Sequence, residues 1–267
     1  MIFFSKQSVM ISKSIVKLVR SLDTKKNRRK EGLFVAEGPK VVGDLMRLRR
    51  PTLVIATEEW LSASCQAGTK AGGDEVGPRV IQVTEEELRK ISFLTTPQQV
   101  LALFSIPTAC MPDAGCIAGR LSLVLDGVQD PGNLGTIIRI ADWFGIGDIF
   151  CSMDTADLYN PKVVQATMGS IARVNVIYTD LVELLDSLDD NVPVYGTLLD
   201  GSDIYAQQLS RNGLIVMGNE GNGISPEIRR RVNRRLLIPA FSSGDTAESL
   251  NVAIATAITC SEFRRRR

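Results

Sequence analysis

From about residue 120 to its end the chain alternates short Val/Ile/Leu-rich runs with stretches of helical periodicity, and this alternation restricts the fold more than any other feature. The runs lie near 121–126, 148–152, 174–178, 193–199, 213–218 and 235–239, and the helical stretches near 134–144, 161–172, 180–189, 203–209, 225–232 and 248–263. Strands that are apolar on both faces and separated by helices belong to a mostly parallel sheet. The expected class is therefore α/β, with ligands held by the loops that follow the strand carboxyl ends.

The first half reads differently. A helix is expected over about 7–30, with Val9, Ile11, Ile15, Leu18, Val19 and Leu22 on one side and basic residues on the other. Strand-like runs follow at Gly32–Gly38, Leu53–Thr57, Arg79–Thr84 and Val100–Ile106, with helices expected at Lys40–Arg50, Glu58–Ser62 and Thr84–Leu94. Thr84 and Glu87 have capping-box spacing. Pro107–Gly119 is rich in Pro, Gly and Ala and lacks a period, so it reads as a linker, while Ala67–Pro78 reads as a surface loop. The 267 residues suit two domains at about 100–200 residues each. The expected division is a small α/β domain over 1–107, a linker over 108–119 and a larger α/β domain over 120–267.

Composition removes whole classes of chemistry. The chain has no histidine, so Ser-His-Asp and Cys-His catalysis and histidine-based zinc sites are excluded. Cys65, Cys110, Cys116, Cys151 and Cys260 form no CxxC pair, which predicts buried free thiols in a reducing compartment and no metal. Ile2-Phe3-Phe4 is too short for a signal-peptide core, and no apolar run approaches the roughly 18 residues of a membrane span. A soluble, cytoplasmic protein without a membrane partner is expected. The net charge is only +1, yet basic residues cluster at Lys13–Lys30, Arg229–Arg235 and Arg264–Arg267, which points to a polyanionic partner.

Three loops of the second half carry candidate chemistry. In LSLVLDGVQDPGNLGTIIRIADWFGI (Leu121–Ile146) a buried strand runs into a polar loop, Asn133 is placed to cap the next helix, and Arg139 lies on a face apart from Leu134, Ile137, Ile138 and Ala141. In LIVMGNEGNGIS (Leu214–Ser225) a strand breaks into a glycine-rich loop that is neither GxGxxG nor a Walker A sequence. In LLIPAFSSGDTAESLNVAIATAIT (Leu236–Thr259) a strand ends at Pro239 and a helix of small residues opens near Ser249 or Asn251.

Together, Asn133-Leu134-Gly135 through Arg139, Gly218-Asn219-Glu220-Gly221, and Ile238-Pro239 with Ser249-Leu250-Asn251 resemble the three motifs of the SpoU (TrmH) family of SPOUT RNA methyltransferases. LVRSLDTKKNRRKEGLFVAEGPKVVGDL resembles that family's N-terminal substrate-binding domain, a module similar to RNA-binding ribosomal proteins. The resemblance implies a deep trefoil knot in the C-terminal domain, a feature that sequence physics alone would not propose. It further implies S-adenosylmethionine as methyl donor, held at Gly218, Ile238 and Leu250, with Thr197 and Leu198 beside them. Activity at an RNA ribose 2′-hydroxyl, a 23S rRNA substrate and a homodimer that completes the active site belong to the same implication.

The implied catalytic set is Arg139, Asn133, Glu220, Ser249 and Asn251. The family assigns the counterpart of Arg139 to proton removal, but a guanidinium is a poor base. Orienting phosphate and stabilising a developing alkoxide is the second role open to it. Lys25, Lys26, Arg28 and Arg29 are the candidate RNA contacts. Two other functions remain open, a tRNA substrate and a catalytically silent RNA-binding or ribosome-assembly factor. A dinucleotide-dependent enzyme does not fit, because the loop after Leu125 lacks the glycine fingerprint.

Overall fold

The computed structural model describes residues 11–66, 78–108, 110–242 and 248–265. The Ile2–Phe4 patch, Val9, the loop expected over Ala67–Pro78 up to residue 77, the side chain of Cys65, and Arg266 and Arg267 lie outside the described residues. In chain order the elements are α1 (Lys13–Ser21), α2 (Lys25–Glu31), β1 (Leu33–Glu37), α3 (Pro39–Leu48), β2 (Leu53–Ala56), α4 (Glu58–Gln66), β3 (Arg79–Gln82), α5 (Glu85–Ile91) and β4 (Val100–Ser105). Then come α6 (Ala114–Ala118), β5 (Leu121–Leu125), α7 (Pro131–Trp143), β6 (Asp148–Cys151), α8 (Pro161–Ala166), β7 (Asn175–Tyr178), α9 (Leu181–Asp186), β8 (Val194–Asp203), β9 (Gly213–Met217), α10 (Pro226–Arg229), β10 (Arg234–Leu237) and α11 (Val252–Arg265). Among the described residues no helix is long and apolar enough to cross a membrane.

Two compact units result, Met1–Thr108 with Asp157–Ala172, and Ala109–Ala156 with Arg173–Arg267. In the first unit a sheet of order β1-β4-β2-β3 pairs β1 and β2 antiparallel to β4 and β3 parallel to β2. Its core gathers Ile15, Val19 and Leu22 with Val35, Ile55, Leu88, Ile91 and Leu101. The capping box read from Thr84 and Glu87 forms, with Thr84 N–H donating to Glu87 Oε2 at 3.0 Å.

The single helix expected over about 7–30 is two helices. Leu22 is fully buried, and α1 ends there so that it can enter the core. Thr24 then caps α2. Arg28 holds the break together, its Nη1 donating to the carbonyl oxygens of both Leu22 and Asp23 at 2.7 Å. Its Nε also donates to Asp157 at 3.1 Å. Arg28 is 2% exposed, whereas Lys25, Lys26 and Arg29 are exposed. The expectation that Arg28 contacts RNA is corrected accordingly.

Residues 157–172, expected as part of the second domain, pack with the first unit. Tyr159 lies against Phe34, with ring centroids 4.7 Å apart. Gly169 has φ +96°, and a Cβ there would lie 2.4 Å from Asp44 Oδ2, so both its backbone and its neighbour demand glycine. The expected helix over 161–172 is accordingly shortened to α8 and a 3-10 turn at Ser170–Ala172.

The second unit contains a six-stranded sheet of order β10-β8-β9-β5-β6-β7, parallel throughout. All five residues of β5 and of β9 are buried, as their unbroken apolar runs require in central parallel strands. The supposed linker is partly structured: Ile117 of α6 is buried in this core, and Asn212 Nδ2 donates to Ala118 O at 2.8 Å.

Asp157 balances a guanidinium that has almost no access to water. Asp157→Ala is expected to destabilise the protein by about 3 kcal/mol in urea unfolding, the scale of an orphaned buried charge. A change below 0.5 kcal/mol, the ordinary scatter of a surface substitution of about that size, would show that the pair is not structural.

Candidate active site

The strand order places a switch between β5 and β9. From β5 the chain steps outward through β6 and β7, then returns to the other side of β5 as β8, β9 and β10. The loops at the carboxyl ends of β5 and β9 diverge there, the position at which open parallel sheets hold ligands.

The β5 loop turns at Gly127, φ +72°, whose N–H donates to Ser152 Oγ at 2.8 Å. Asp126 Oδ2 accepts from Ser225 N–H at 2.7 Å and ties this loop to the end of the β9 loop. Helix α7 starts earlier than expected, with Pro131 at its first position and Asp130, not Asn133, as its cap. Asp130 Oδ1 accepts from Asn133 N–H at 2.8 Å. The Asn133 side chain is thereby released from capping.

It joins a chain of polar contacts. Asn251 Nδ2 donates to Asn133 Oδ1 at 2.9 Å, and Asn133 Nδ2 donates to Glu220 Oε1 at 3.0 Å. The Glu220 carboxylate also accepts from Gln129 N–H and Asp130 N–H, each at 3.2 Å. Asn251 in turn caps α11, its Oδ1 accepting from Ala253 N–H at 2.9 Å. Residues from all three loops are thus joined by hydrogen bonds that converge on one carboxylate.

The carboxyl of Glu220 is pulled two ways. Partial burial pushes its pKa up, but the Asn133 amide and the backbone N–H groups of Gln129 and Asp130 favour the anion more, so it lies below the ordinary glutamate value. The β9 loop is itself closed on Asn219, which donates to Gly127 O at 2.7 Å and accepts from Gly221 and Asn222 N–H at 2.9 and 3.0 Å. Gly218 is needed for that closure: a Cβ there would lie 2.2 Å from the Gly223 carbonyl carbon.

Beside this cluster is a cavity of about 770 Å³. Thr197, Leu198, Gly218, Ile238 and Leu250, the five positions expected to hold a donor, all line it, as do Glu220 and Ser249. Thr197 Oγ1 donates to Val216 O at 3.2 Å. The lining combines aliphatic residues such as Leu198, Leu236 and Ile238 with polar and glycine residues of the β9 loop, which suits a molecule with apolar faces and polar edges. Asn133 and Asn251 reach this site through Glu220.

Arg139 is not in the cluster. It leaves α7 six residues after Asn133, is exposed, and has no hydrogen bond or ion pair among the described residues. Sequence reading gave no role to Asp126, Asp130 or Asn219, which build the loop frame. Asn219 had a signal, since an asparagine two residues before glycine is a common Asx-turn pattern. Asp126 and Asp130 had none beyond their place after a strand.

The basic clusters separate by the same geometry. Arg231 is paired with Asp186 at 2.6 Å, Arg235 with Asp200 at 3.1 Å, Arg229 also with Asp200, and Arg230 with Glu227 at 3.7 Å. Arg264 donates to Phe144 O and Gly145 O, and Arg265 is paired with Glu262. Among the described residues, most arginines of the 229–235 run thus have a carboxylate partner, while in the last run Arg265 has one and Arg264 meets backbone carbonyls. Cys151 and Cys260 are buried thiols, the latter pushed up to about 12 by burial, whereas Cys110 is exposed and Cys116 half-buried. Among the described residues no group of three or more potential ligands could hold a metal.

The SpoU rRNA Methylase family matches residues 120–261, and an MRM3-like substrate binding domain matches residues 13–102. The chain belongs to the SpoU rRNA methylase family. Over 252 residues, 93% of this SpoU chain and 95% of its relative, it is 33% identical to the 23S rRNA (guanosine(2553)-2′-O)-methyltransferase RlmP of Bacillus subtilis (strain 168). A TrmH-family structure from Porphyromonas gingivalis superposes with a TM-score of 0.84 at 42% identity, covering 97% of this chain and all of that one (100%). An AdoMet-bound rRNA methyltransferase from Sinorhizobium meliloti superposes with a TM-score of 0.81 at 30% identity over 98% of each chain.

In this SpoU chain, Glu220→Gln would place an amide N–H against N–H donors. Hydrogen exchange at Gln129 and Asp130 is expected to rise about tenfold or more, since a hydrogen bond to a charged group contributes about 1.5–3 kcal/mol. Because the folded-state pKa of Glu220 lies below its unfolded value, its contribution is present above the usual carboxylate range and disappears as pH falls through the lower folded value. Protection of the two amides, measured against their intrinsic exchange rate at each pH, should therefore persist at pH 5 in the parent protein and fall only in more acid solution. Equal exchange in parent and variant would remove Glu220 from its organising role.

Proposed function

We propose that the protein is an S-adenosylmethionine-dependent methyltransferase that methylates a ribose 2′-hydroxyl in 23S rRNA, acting in the cytoplasm as a homodimer. The observation that carries this reading is the Glu220–Asn133–Asn251 chain at the mouth of a cavity lined by all five expected donor-contacting positions. The near full-length similarity to RlmP favours rRNA over tRNA.

The cavity suits the donor by size and lining. Thr197, Leu198, Gly218, Ile238 and Leu250 would hold it, and when bound it supplies an electrophilic methyl group on a sulfonium. Glu220 keeps the β5 and β9 loops at fixed separation, while Asn133 and Asn251 present amides at the rim, where a ribose would lie. The chain has no histidine, and Arg139, supplied from a partner subunit, would orient RNA phosphate and stabilise negative charge on the 2′-oxygen. Proton removal by a guanidinium stays the less favourable of its two roles.

The homodimer gives Arg139 a place in this scheme. Arg139 shares a face of α7 with Trp143, four residues later, which is 86% exposed, and Ile254 on the adjacent α11 is 52% exposed. A second copy covering these side chains would remove them from water and bring Arg139 to the partner's site. The trefoil knot also belongs to this proposal. Its support is the jump in the β8–β10 register, where Arg235 pairs with Gly196 but Leu236 with Ser202, and a Cβ on Gly201 would meet the Leu236 carbonyl carbon at 2.4 Å. Here β10 passes directly against a looped-out part of β8.

The decisive assay incubates the protein with radiolabelled donor and unmodified 23S rRNA, then hydrolyses the RNA in alkali. A methylated ribose leaves an alkali-resistant labelled dinucleotide. Label in bases, label only in tRNA, or no transfer despite tight RNA binding would each contradict the proposal, the last favouring a silent assembly factor.

Arg139→Ala is expected to slow transfer by about 100-fold or more, the scale of a lost electrostatic group, with donor affinity within about twofold of the parent. Near-normal turnover would remove Arg139 from catalysis. For RNA binding, Lys25, Lys26 and Arg29 remain the expected phosphate contacts. Their triple replacement by alanine should lower the log–log salt slope of RNA affinity by about 0.7–0.9 for each contact made, with donor binding unchanged. An unaltered slope would leave this cluster as a solvated helix face.

A further inference from the structure

Two charged residues lining the second unit's cavity, Asp200 and Arg229, take no part in the network centred on Glu220. Asp200 is placed by the break in the β8–β10 ladder. Arg235 pairs with Gly196 but Leu236 with Ser202, so residues 197–201 have no β10 partner, and Thr197 through Asp200 line the cavity. Arg229, the last residue of α10, lines it as well, and its Nη2 donates to Asp200 Oδ2. Arg235 Nη1 donates to the same oxygen at 3.1 Å. Among the described residues, Asp200 Oδ1 and Arg229 Nε and Nη1 have no protein partner. Side-chain exposures of 48% and 40% leave both groups within reach of a ligand, and an ion pair so exposed adds little to stability.

The charges of the cavity assign that ligand. Among the described residues that line it, Asp200, Glu220 and Glu248 are acidic and Arg229 is the one cation. Glu220 is already committed to Asn133 and to the N–H groups of Gln129 and Asp130. S-adenosylmethionine carries a sulfonium and, at its amino-acid end, an ammonium and a carboxylate on one carbon. Its carboxylate has a single partner of opposite charge in this cavity, and beside that partner Asp200 keeps an oxygen open for the ammonium. Resting on the donor reading above, we propose that the Asp200–Arg229 pair seats the zwitterionic amino-acid end of S-adenosylmethionine. Arg229 gives its remaining N–H groups to the carboxylate, and the ammonium donates to Asp200 Oδ1. A guanidinium already fixed through one nitrogen loses little freedom when its others take up a carboxylate.

The test is calorimetric titration of the full chain with S-adenosylmethionine and with decarboxylated S-adenosylmethionine, which differ in the carboxylate alone. A cavity lined by three acids and one cation favours, by charge alone, the decarboxylated and more cationic molecule, so a preference for the intact donor reports a specific carboxylate contact. The parent protein is expected to bind the intact donor about tenfold or more tightly, the scale of one charge-assisted hydrogen bond. Arg229→Gln should lose about that factor for the intact donor and bind the decarboxylated one no more weakly than the parent does. Arg229→Lys should keep part of the preference. Arg230→Gln, which removes a neighbouring charge that does not line the cavity, should keep all of it. Equal affinity of the parent for the two molecules, or equal weakening of both by Arg229→Gln, overturns the seat. So does a preference that Arg229→Gln leaves unchanged while the salt slope of RNA affinity falls, which would give this arginine to RNA phosphate. In each of these cases the donor still binds and only the seat fails. A parent protein that binds neither S-adenosylmethionine nor S-adenosylhomocysteine removes the donor reading, and the seat with it.

Discussion

One carboxylate organises the second unit's candidate site. Three loops leave the sheet at the ends of β5, β9 and β10, and each alone is a polar segment with little to fix its course. Glu220 fixes two of them by accepting from backbone N–H groups of the β5 loop and from Asn133, and Asn251 adds the third through Asn133. A carboxylate accepting several N–H bonds is held as an anion, and each bond it accepts is charge-assisted. The cavity beside it keeps its shape because its mouth cannot spread without breaking these bonds.

The arginines show how position decides the use of one side chain. Arg28 is buried and stitches a helix break to an aspartate 129 residues away. Arg229 and Arg235 share Asp200, and Arg231 is paired with Asp186. Arg139 is exposed and unpaired among the described residues. A basic run in a sequence thus says little until its acidic neighbours in space are known, and exposed ion pairs add little stability in any case.

The sheet of the second unit was legible because its strands are apolar on both faces and separated by amphipathic stretches, as at Leu121–Leu125 and Gly213–Met217. The five cavity-lining positions expected to hold a donor were singled out only through the resemblance, since Thr197 and Leu198 have no local signature. What escaped the reading was governed by contacts distant in sequence. Leu22 ends a helix because the core needs it, a demand invisible to helical periodicity. Asn133 looks like a cap, but Asp130 three residues earlier takes that place, and the difference is what frees Asn133 for Glu220. Residues 157–172 carry the alternating pattern of the second domain yet pack with the first unit, because Tyr159 and Gly169 meet Phe34 and Asp44 there.

The most direct test of this account is a double-mutant cycle on S-adenosylmethionine binding, with Asn133→Ala, Glu220→Ala and the pair measured by calorimetry. If the hydrogen-bonded chain shapes the cavity mouth, the two substitutions act on one structure. The double variant should then lose little more affinity than the worse single one, with a coupling of about 1 kcal/mol or more, as for residues in contact within a network. Losses that simply add, or singles that bind the donor as tightly as the parent, would contradict the claim that Glu220 and Asn133 build the site together.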